Sequence, residues 1–279
     1  MGADIKAIRA RIKSVDSTKH ITKAMQLVAS SKIKKASNKM EASRFYRQVM
    51  LDAFADLSAE KSRYSVQRDR SLPVLYIIIA GDRGLAGGYN NNIFRSSGTV
   101  LRDNDLILPI GKRAVEYYSR RAKVITDKFT SVERFDSVCS AEVARLVRGM
   151  YDEEKISAVC LVYTRFESML SQSPEMIHLL PLGKDESGVM VGEKSHALVE
   201  YEPSAEEVLA AVIPEYISGV LYSAAAESYA SELAARRNAM DTATKNADEM
   251  LDELSLSYNR ARQGAITQEI TEIVAGANA

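Results

Sequence analysis

The two ends of the chain carry apolar residues at the spacing of long helices. Near the N-terminus an apolar residue recurs at every third or fourth position over much of the segment. This spacing predicts a coiled-coil helix from about Ala3 to Leu57. At about 1.5 Å per residue it would be ~80 Å long, too long to be buried in a small domain. Its predicted seam comprises Ile5, Ile8, Ile12, Val15, Ile21, Met25, Val28, Ile33, Ala36, Met40, Tyr46, Met50, Ala53 and Leu57.

The C-terminal end repeats this pattern. Ser204 and Glu207 have the spacing of a capping box, and Pro214 is expected to kink or restart the helix. A helix over 215–274 would be ~90 Å long. Because both long helices join the same central region, we expect them to pack antiparallel. The predicted seam of the second helix comprises Met240, Ala243, Ala247, Met250, Leu254, Tyr258, Ala261 and Ala265.

The middle of the chain has the pattern of an α/β domain. Most glycines and prolines lie between residues 73 and 203, where they punctuate short apolar runs. The sequence predicts a Rossmann-like parallel-sheet domain at 73–200, between coiled-coil helices in the segments 1–63 and 204–279. Its predicted elements are strands at 74–80, 106–110 and 158–163, an edge strand at 176–182, helices at 115–121 and 142–150, and a polar loop at 183–194.

Charge is distributed unevenly along a chain whose formal net charge is +0. Residues 1–47 hold 12 Lys and Arg against 3 Asp and Glu, and residues 200–279 hold 5 against 14. The segment 48–199 is balanced, with 20 of each sign. We therefore expect the two terminal helices to prefer each other. Dimerisation of two chains through like helices is the alternative, but it would bring like charges together.

The residues that commonly carry catalysis or bind metals are sparse. Cys139, Cys160 and three scattered histidines have no metal-ligand spacing, and the two thiols are expected to be reduced, as in a cytosolic protein. The longest clean apolar run, 74–80, is far shorter than the ~20 residues that span a bilayer, and residues 1–13 lack a signal-peptide core. A membrane role would then come through a partner.

A glycine-rich segment at 81–90 follows the first predicted strand, where nucleotide-binding folds cradle phosphates. It matches neither G-x-G-x-x-G nor the Walker A pattern, and Gly111-Lys112 is followed by Arg113 rather than Ser or Thr. The spacing favours a tight turn and close strand–helix packing over nucleotide binding.

Six lysines form a basic cluster on the first helix: Lys19, Lys23, Lys32, Lys34, Lys35 and Lys39. Such a cluster is compatible with nucleic acid or anionic lipid, with a solvated coiled-coil face, or with docking onto an acidic protein. The solvated face is favoured over nucleic acid, and docking onto a protein stays open.

The last 17 residues, 263–279, contain no Lys or Arg and only two acidic residues. Ile266, Ile270, Ile273 and Val274 keep helical spacing there, which argues against a floppy terminus. A projecting apolar tip of this kind would suit a hydrophobic socket in a partner.

Three segments resemble the gamma subunit of the rotary F-type ATP synthase. They read ITKAMQLVASSK at 21–32, GDRGLAGG at 81–88 and ITQEITEIVAGANA at 266–279. The resemblance covers the whole chain in order. The residues that match the family's C-terminal signature are Ile266, Thr267, Glu269, Glu272, Gly276 and Ala277.

The resemblance implies a central rotor shaft. The coiled coil would turn inside a hexamer of alternating alpha and beta subunits, while the central domain, with the epsilon subunit, rests on the membrane ring of c subunits. Flow of H⁺ or Na⁺ would thereby be coupled to ATP synthesis or hydrolysis. The resemblance implies no catalytic residue, cofactor or metal site on this chain, no nucleic acid partner, and a peripheral position at the cytoplasmic face of the bacterial plasma membrane.

The resemblance also assigns contact residues. Those expected to meet alpha and beta subunits are Lys23, Ala24, Met25, Arg236, Arg262, Gln263, Thr267 and Glu269. Tyr201 and Glu202 fall at the family's foot on the c ring and epsilon. The chain lacks the cysteine-bearing insertion of the chloroplast version, so thiol switching is not expected. Position 86, often Cys in relatives, is Ala here, which supports a structural role for the glycine loop. A free-standing coiled-coil scaffold or a nucleotide-binding protein remains the alternative.

Overall fold

Two long helices and an α/β domain make up the part of the chain that the computed structural model describes, namely residues 2–57, 62–66, 68–69, 71–182, 202 and 204–277. Helix α1 spans Gly2–Leu57 and helix α5 spans Ala205–Ala277. Between them lie β1 Val74–Ile79, α2 Tyr89–Gly98, β2 Leu106–Ile110, α3 Lys112–Tyr118, β3 Lys123–Val124, α4 Ser137–Asp152, β4 Ala158–Phe166 and β5 Gln172–Leu180. The predicted polar loop at 183–194 lies outside the described residues.

The five strands form one sheet in the order β3-β2-β1-β4-β5. Strands β1, β2 and β4 pair in parallel, as predicted, and the short β3 joins them in parallel, whereas β5 pairs antiparallel with β4. Only five residues, 167–171, join β4 to β5, and so short a connection permits a hairpin but no parallel crossover. The sheet is therefore mixed rather than purely parallel.

Both faces of the sheet are covered by helices. On one face α4 and the first half of α5 bury Leu75, Ile77 and Ile79 of the central strand. On the other face α2 and α3 pack over Tyr76 and Ile78. Alternate residues of β1 thus enter two separate cores, which explains its continuous apolar run.

The sequence analysis did not predict two short elements, α2 and β3. Helix α2 begins at Tyr89, near the end of the glycine-rich segment 81–90 that was expected to form a turn. Three consecutive asparagines follow Tyr89 and weaken the helical signal. Strand β3 has only two residues, Lys123–Val124, paired with Leu106 and Ile107. An edge strand of two residues is too short to produce alternation in the sequence.

Ser204 caps the start of helix α5, as predicted, through one hydrogen bond of the predicted capping box. The Glu207 N–H donates to Ser204 Oγ at 3.3 Å. Pro214 lies inside the helix, which runs unbroken to Ala277, so the predicted restart was wrong, while a kink at Pro214 stays a prediction. By length and composition α5 could cross a membrane, with a mean hydropathy of 1.5 over its most apolar stretch. In the fold 61% of that stretch is buried by the protein itself, as in a core helix.

By its internal contacts the chain divides into two units. One comprises Met1–Ser30 with Arg236–Ala279, and the other comprises Ser31–Ala235. This division differs from the predicted three segments because each long helix contributes to both units. The second unit includes the end of α1, where Ala36 and Met40 pack with Ala230 and Leu233 of α5.

The seam of α1 differs in register from the prediction near its middle. Thr22 and Ala29 are buried, whereas Ile21 and Val28, predicted for the seam, are 58% and 57% exposed. Tyr46, also predicted for the seam, is 47% exposed. On α5 Met250 is exposed and Leu251 is partly buried in its place. At Thr22 and Ala29 the buried positions hold a polar and a small residue, so the largest apolar side chain does not always mark the buried position.

Candidate partner-binding surfaces

Polar contacts join α1 to α5 within the first unit. Gln26 Nε2 donates to Asp241 Oδ1 at 2.8 Å, and the hydroxyl oxygens of Thr22 and Thr244 lie 2.8 Å apart. Lys19 forms an ion pair with Asp248, with an Nζ–Oδ1 distance of 2.5 Å. The hydrogen bond to Asp248 raises the pKa of Lys19 above its ordinary value. Opposite charges on the two helices therefore meet here, as the charge distribution predicted.

These contacts were not predicted residue by residue. A heptad seam is recognised by apolar residues, and Thr22, Gln26 and Thr244 carry none of that signal. The available signal was their position, since Lys19, Thr22 and Gln26 follow one another at steps of three and four. These three residues of α1 face α5, and nearby apolar residues face outward.

An apolar surface on α1 is left open to solvent in this chain. We call Ile21, Ala24, Leu27 and Val28 the α1 apolar surface; Ile21, Leu27 and Val28 are 58%, 63% and 57% exposed, and Ala24 is exposed as well. Clustered exposed apolar side chains mark interaction sites on soluble proteins. Lys23 is exposed and Met25 half-buried within the same turns. Three of the predicted contact residues, at 23–25, therefore lie on or beside a surface suited to a partner.

The end of α5 is a second open surface. Arg262, Gln263, Thr267 and Glu269 are exposed, as is Glu272. The four apolar residues of the tip, Ile266, Ile270, Ile273 and Val274, are all exposed as well. Helix α5 continues through Gly276 and Ala277, whose surroundings lie outside what the structure describes. The predicted contact residues of this segment thus share one helix end with the predicted apolar tip.

Arg236 and Tyr201 differ from the other predicted contact residues. Arg236 is only 9% exposed, because on α5 it continues the buried line between Leu233 and Met240. Its contact with a partner subunit stays a prediction, for which only a small part of the side chain is accessible in this chain. Of the predicted foot, Glu202 is exposed and Tyr201 lies outside the described residues.

The basic cluster is partly used inside the chain. Lys32 pairs with Glu133 at 2.8 Å, and this hydrogen bond lowers the pKa of Glu133. Lys39 lies 4.8 Å from the centre of the Tyr222 ring, and burial lowers its pKa. A cluster with some of its members paired in this way is less suited to nucleic acid than a wholly unpaired basic stripe would be.

The glycine-rich segment packs against α5. The Gly81 N–H donates to Asn90 Oδ1 at 2.8 Å, and the Asp82 N–H donates to Glu232 Oε2 at 3.3 Å. The Asp82 carboxylate accepts from the Val132 N–H at 2.7 Å. Carboxylates beside these backbone N–H groups would repel a phosphate. The contacts favour the packing interpretation of the glycines over nucleotide binding.

Among the described residues there is also no group of three or more His, Cys, Asp or Glu that could hold a metal ion.

Comparison with known proteins decides between the remaining alternatives. The family model described as ATP synthase matches residues 4–279. The ATP synthase gamma chain of Ruminococcus albus is 44% identical over 97% of this chain and 96% of its own length. The chain belongs to the ATP synthase gamma chain family. Another relative, from Alkaliphilus metalliredigens, is 41% identical over 100% of this chain and 99% of its own length.

Solved structures share the fold. The rotor of the Euglena gracilis mitochondrial ATP synthase matches 95% of this chain and 100% of that chain, with a TM-score of 0.67 at 19% identity. The central stalk and c-ring structure of the Tetrahymena thermophila mitochondrial enzyme matches 80% of this chain and 99% of that chain, with a TM-score of 0.59 at 26% identity. The predicted combination of long helices with a Rossmann-like domain is confirmed.

Membership in the family settles the function class. The chain is the central shaft subunit of ATP synthase, a non-catalytic part of the membrane-associated complex, as the sequence resemblance predicted. A free-standing scaffold and a nucleotide-binding protein are thereby set aside. One relative, from Acetobacterium woodii and 36% identical over 100% of this chain and 99% of its own length, is a sodium ion specific gamma chain.

Proposed function

We propose that this gamma chain transmits torque through α1 and α5, between a c ring in the membrane and a hexamer of alpha and beta subunits. In this proposal the segments 1–63 and 204–279 form the shaft and the segment 73–200 forms the domain at its foot. Ion translocation is coupled to ATP synthesis or hydrolysis because neither end turns without the other. The complex lies at the cytoplasmic face of the bacterial plasma membrane, with this chain peripheral to it.

The observation that carries the proposal is the α1 apolar surface. Ile21, Leu27 and Val28 are more than half exposed on a helix whose other side is packed against α5. Contact of three large apolar side chains with water is unfavourable, and a partner that covers them removes this unfavourable free energy. The beta subunits are the partner in this proposal, and Lys23, Ala24 and Met25 lie where they would contact them.

The other predicted residues complete the proposal. Arg262, Gln263, Thr267 and Glu269 contact alpha and beta subunits near the end of α5, and the tip that follows turns in an apolar bearing at the top of the hexamer. Glu202 and Tyr201 contact the c ring and the epsilon subunit. The exposure of Arg262, Gln263, Thr267, Glu269 and Glu202 supports these contacts.

Co-purification with a coupling assay tests this function. A tagged copy of the chain is expressed with the other subunits, and the purified complex is assayed for chain content, ATP hydrolysis and ATP-driven ion uptake into vesicles. We expect alpha and beta subunits to co-purify with the tagged chain. Met25→Lys, which adds a cation beside Lys23, is expected to lower the number of ions taken up per ATP hydrolysed.

A matched control places the same charge elsewhere. Ser17 is exposed two turns earlier on α1, so Ser17→Lys is expected to leave uptake per ATP at the wild-type value. Recovery of the chain without alpha and beta subunits would contradict the function. Equal uptake per ATP in the Met25→Lys and wild-type complexes would contradict the contact assigned to the segment 23–25.

A further inference from the structure

Helix α5 is rich in small side chains where the α/β domain surrounds it. Between residues 216 and 234 nearly every position is buried, and more than half of the residues are Ala, Ser or Gly. Side chains this small form shallow ridges, and apolar attraction has no preferred direction. The small side chains therefore help hold this segment in place but add little resistance to its rotation about its own axis, which falls to the larger side chains and to directional polar contacts.

A buried carboxylate forms directional hydrogen bonds that restrain the rotation of α5. Glu227 is 1% exposed, and its Oε1 accepts from the Phe166 N–H at 3.0 Å and from Arg44 Nη2. Arg44 Nη2 also donates to the Phe166 carbonyl oxygen at 2.8 Å. Each of the three residues is thus bonded to the other two. The triangle joins α1, the end of β4 and α5 through hydrogen bonds, which require defined angles.

A second buried carboxylate lies five residues further along the same helix. Glu232 accepts from the Asp82 N–H, and a Cβ on Gly81 would lie 2.8 Å from its Cδ, so the loop after β1 is held close. Five residues correspond to a rotation of about 140° around a helix and a rise of about 7.5 Å. Hydrogen bonds of Glu227 and Glu232 consequently hold the helix on two different sides and at two positions along its axis.

Both groups are costly to bury. A carboxylate withdrawn from water loses several kcal/mol of hydration, and packed apolar residues of similar volume often stabilise a core at least as well. The best-attested benefit of such a group is a unique geometry rather than added stability. In a shaft, the geometry at stake is the angle between the helix and the domain around it.

We propose that Glu227, with Arg44, is a positioning residue for torque transmission that fixes the rotational angle of α5 and α1 within the α/β domain. Torque that reaches the domain from the ring turns the helices because the triangle cannot shear without breaking its hydrogen bonds. The inference rests on the proposed function, since it concerns how the same shaft is attached.

The test uses the assembled complex in vesicles and the variant Glu227→Ala. Chain content, ATP hydrolysis and ions transported per ATP hydrolysed are measured in parallel. We expect full chain content and sustained hydrolysis, with about a threefold or greater fall in ions transported per ATP, because one charge-assisted hydrogen bond shifts an equilibrium by about tenfold. Glu215→Ala is the matched control, because Glu215 is exposed on the same helix, and it is expected to behave as wild type.

A milder variant keeps the test decisive if Glu227→Ala does not assemble. Arg44→Lys retains the charge but loses the planar fork that bonds both Glu227 and Phe166, so it is also expected to transport fewer ions per ATP. Unchanged transport per ATP in the assembled variants would overturn the inference, as would a fall in hydrolysis and transport by the same factor as chain content. A wild-type chain that fails to join alpha and beta subunits would instead contradict the proposed function.

Discussion

At the scale of single residues, backbone geometry decides what the turns of the α/β domain tolerate. Gly111 follows β2 with a φ of 95°, a conformation that side chains with a Cβ rarely adopt. A Cβ there would lie 2.0 Å from the Ala80 carbonyl oxygen. The close approach lets the loops after β1 and β2 pack together, which no motif in the sequence required.

Replacing this glycine is expected to destabilise the domain. Gly111→Ala should lower the free energy of unfolding by about 3 kcal/mol, because it adds backbone strain and a steric clash. Urea denaturation of the full chain measures the change. Gly149→Ala is the matched control, since Gly149 lies within α4 with open space around it, and it should raise the free energy of unfolding by up to about 1 kcal/mol. Equal stabilities of the two variants would contradict this account of Gly111.

At the scale of elements, the helix seams show which features a sequence reveals. The bounds predicted for the first helix agree with α1, and the predicted strand at 106–110 coincides with β2, because long apolar periodicity and short apolar runs are strong signals. The register of the seam near Thr22 and Ala29 could not be predicted, since a polar and a small residue are buried there. The antiparallel direction of β5 depends on a short loop rather than on the strand's own residues.

The corrected register can be measured directly. Val28→Ser should leave the free energy of unfolding of the full chain within about 0.5 kcal/mol of wild type, because Val28 is exposed. Ala29→Ile should cost about 1–3 kcal/mol, because Ala29 is buried and a larger side chain overpacks its site. If Val28→Ser were the more damaging of the two, the register predicted from the apolar seam would be correct instead.

The end of α5 permits a similar comparison at the level of an element. Deleting the residues after Gly264 removes the exposed apolar tip and is expected to weaken assembly with alpha and beta subunits or reduce torque. The melting temperature of the purified complex, measured with ATP-driven transport, reports both effects. A complex with wild-type thermal stability and transport would count against a bearing role for the tip.

At the scale of the whole molecule, function follows from how charge and apolar surface are distributed rather than from any catalytic group. The basic and acidic ends pair through Lys19 and Asp248, so a formal net charge of +0 conceals two complementary helices. What that pairing leaves open, at Ile21, Leu27, Val28 and the tip, is apolar and suited to partners. The identity of those partners could be predicted only through the family resemblance, because exposure shows where a partner binds but not which protein it is.

Rotation of this chain inside the assembled enzyme is the central claim, and it can be observed directly. Leu170, in the loop between β4 and β5, is 84% exposed, so Leu170→Cys in a Cys139→Ser background provides an attachment point for a probe. With the alpha and beta hexamer fixed to a surface and supplied with ATP, we predict that the probe turns continuously in one direction. Sustained ATP hydrolysis by complexes that contain this chain, with the probe stationary, would contradict the account.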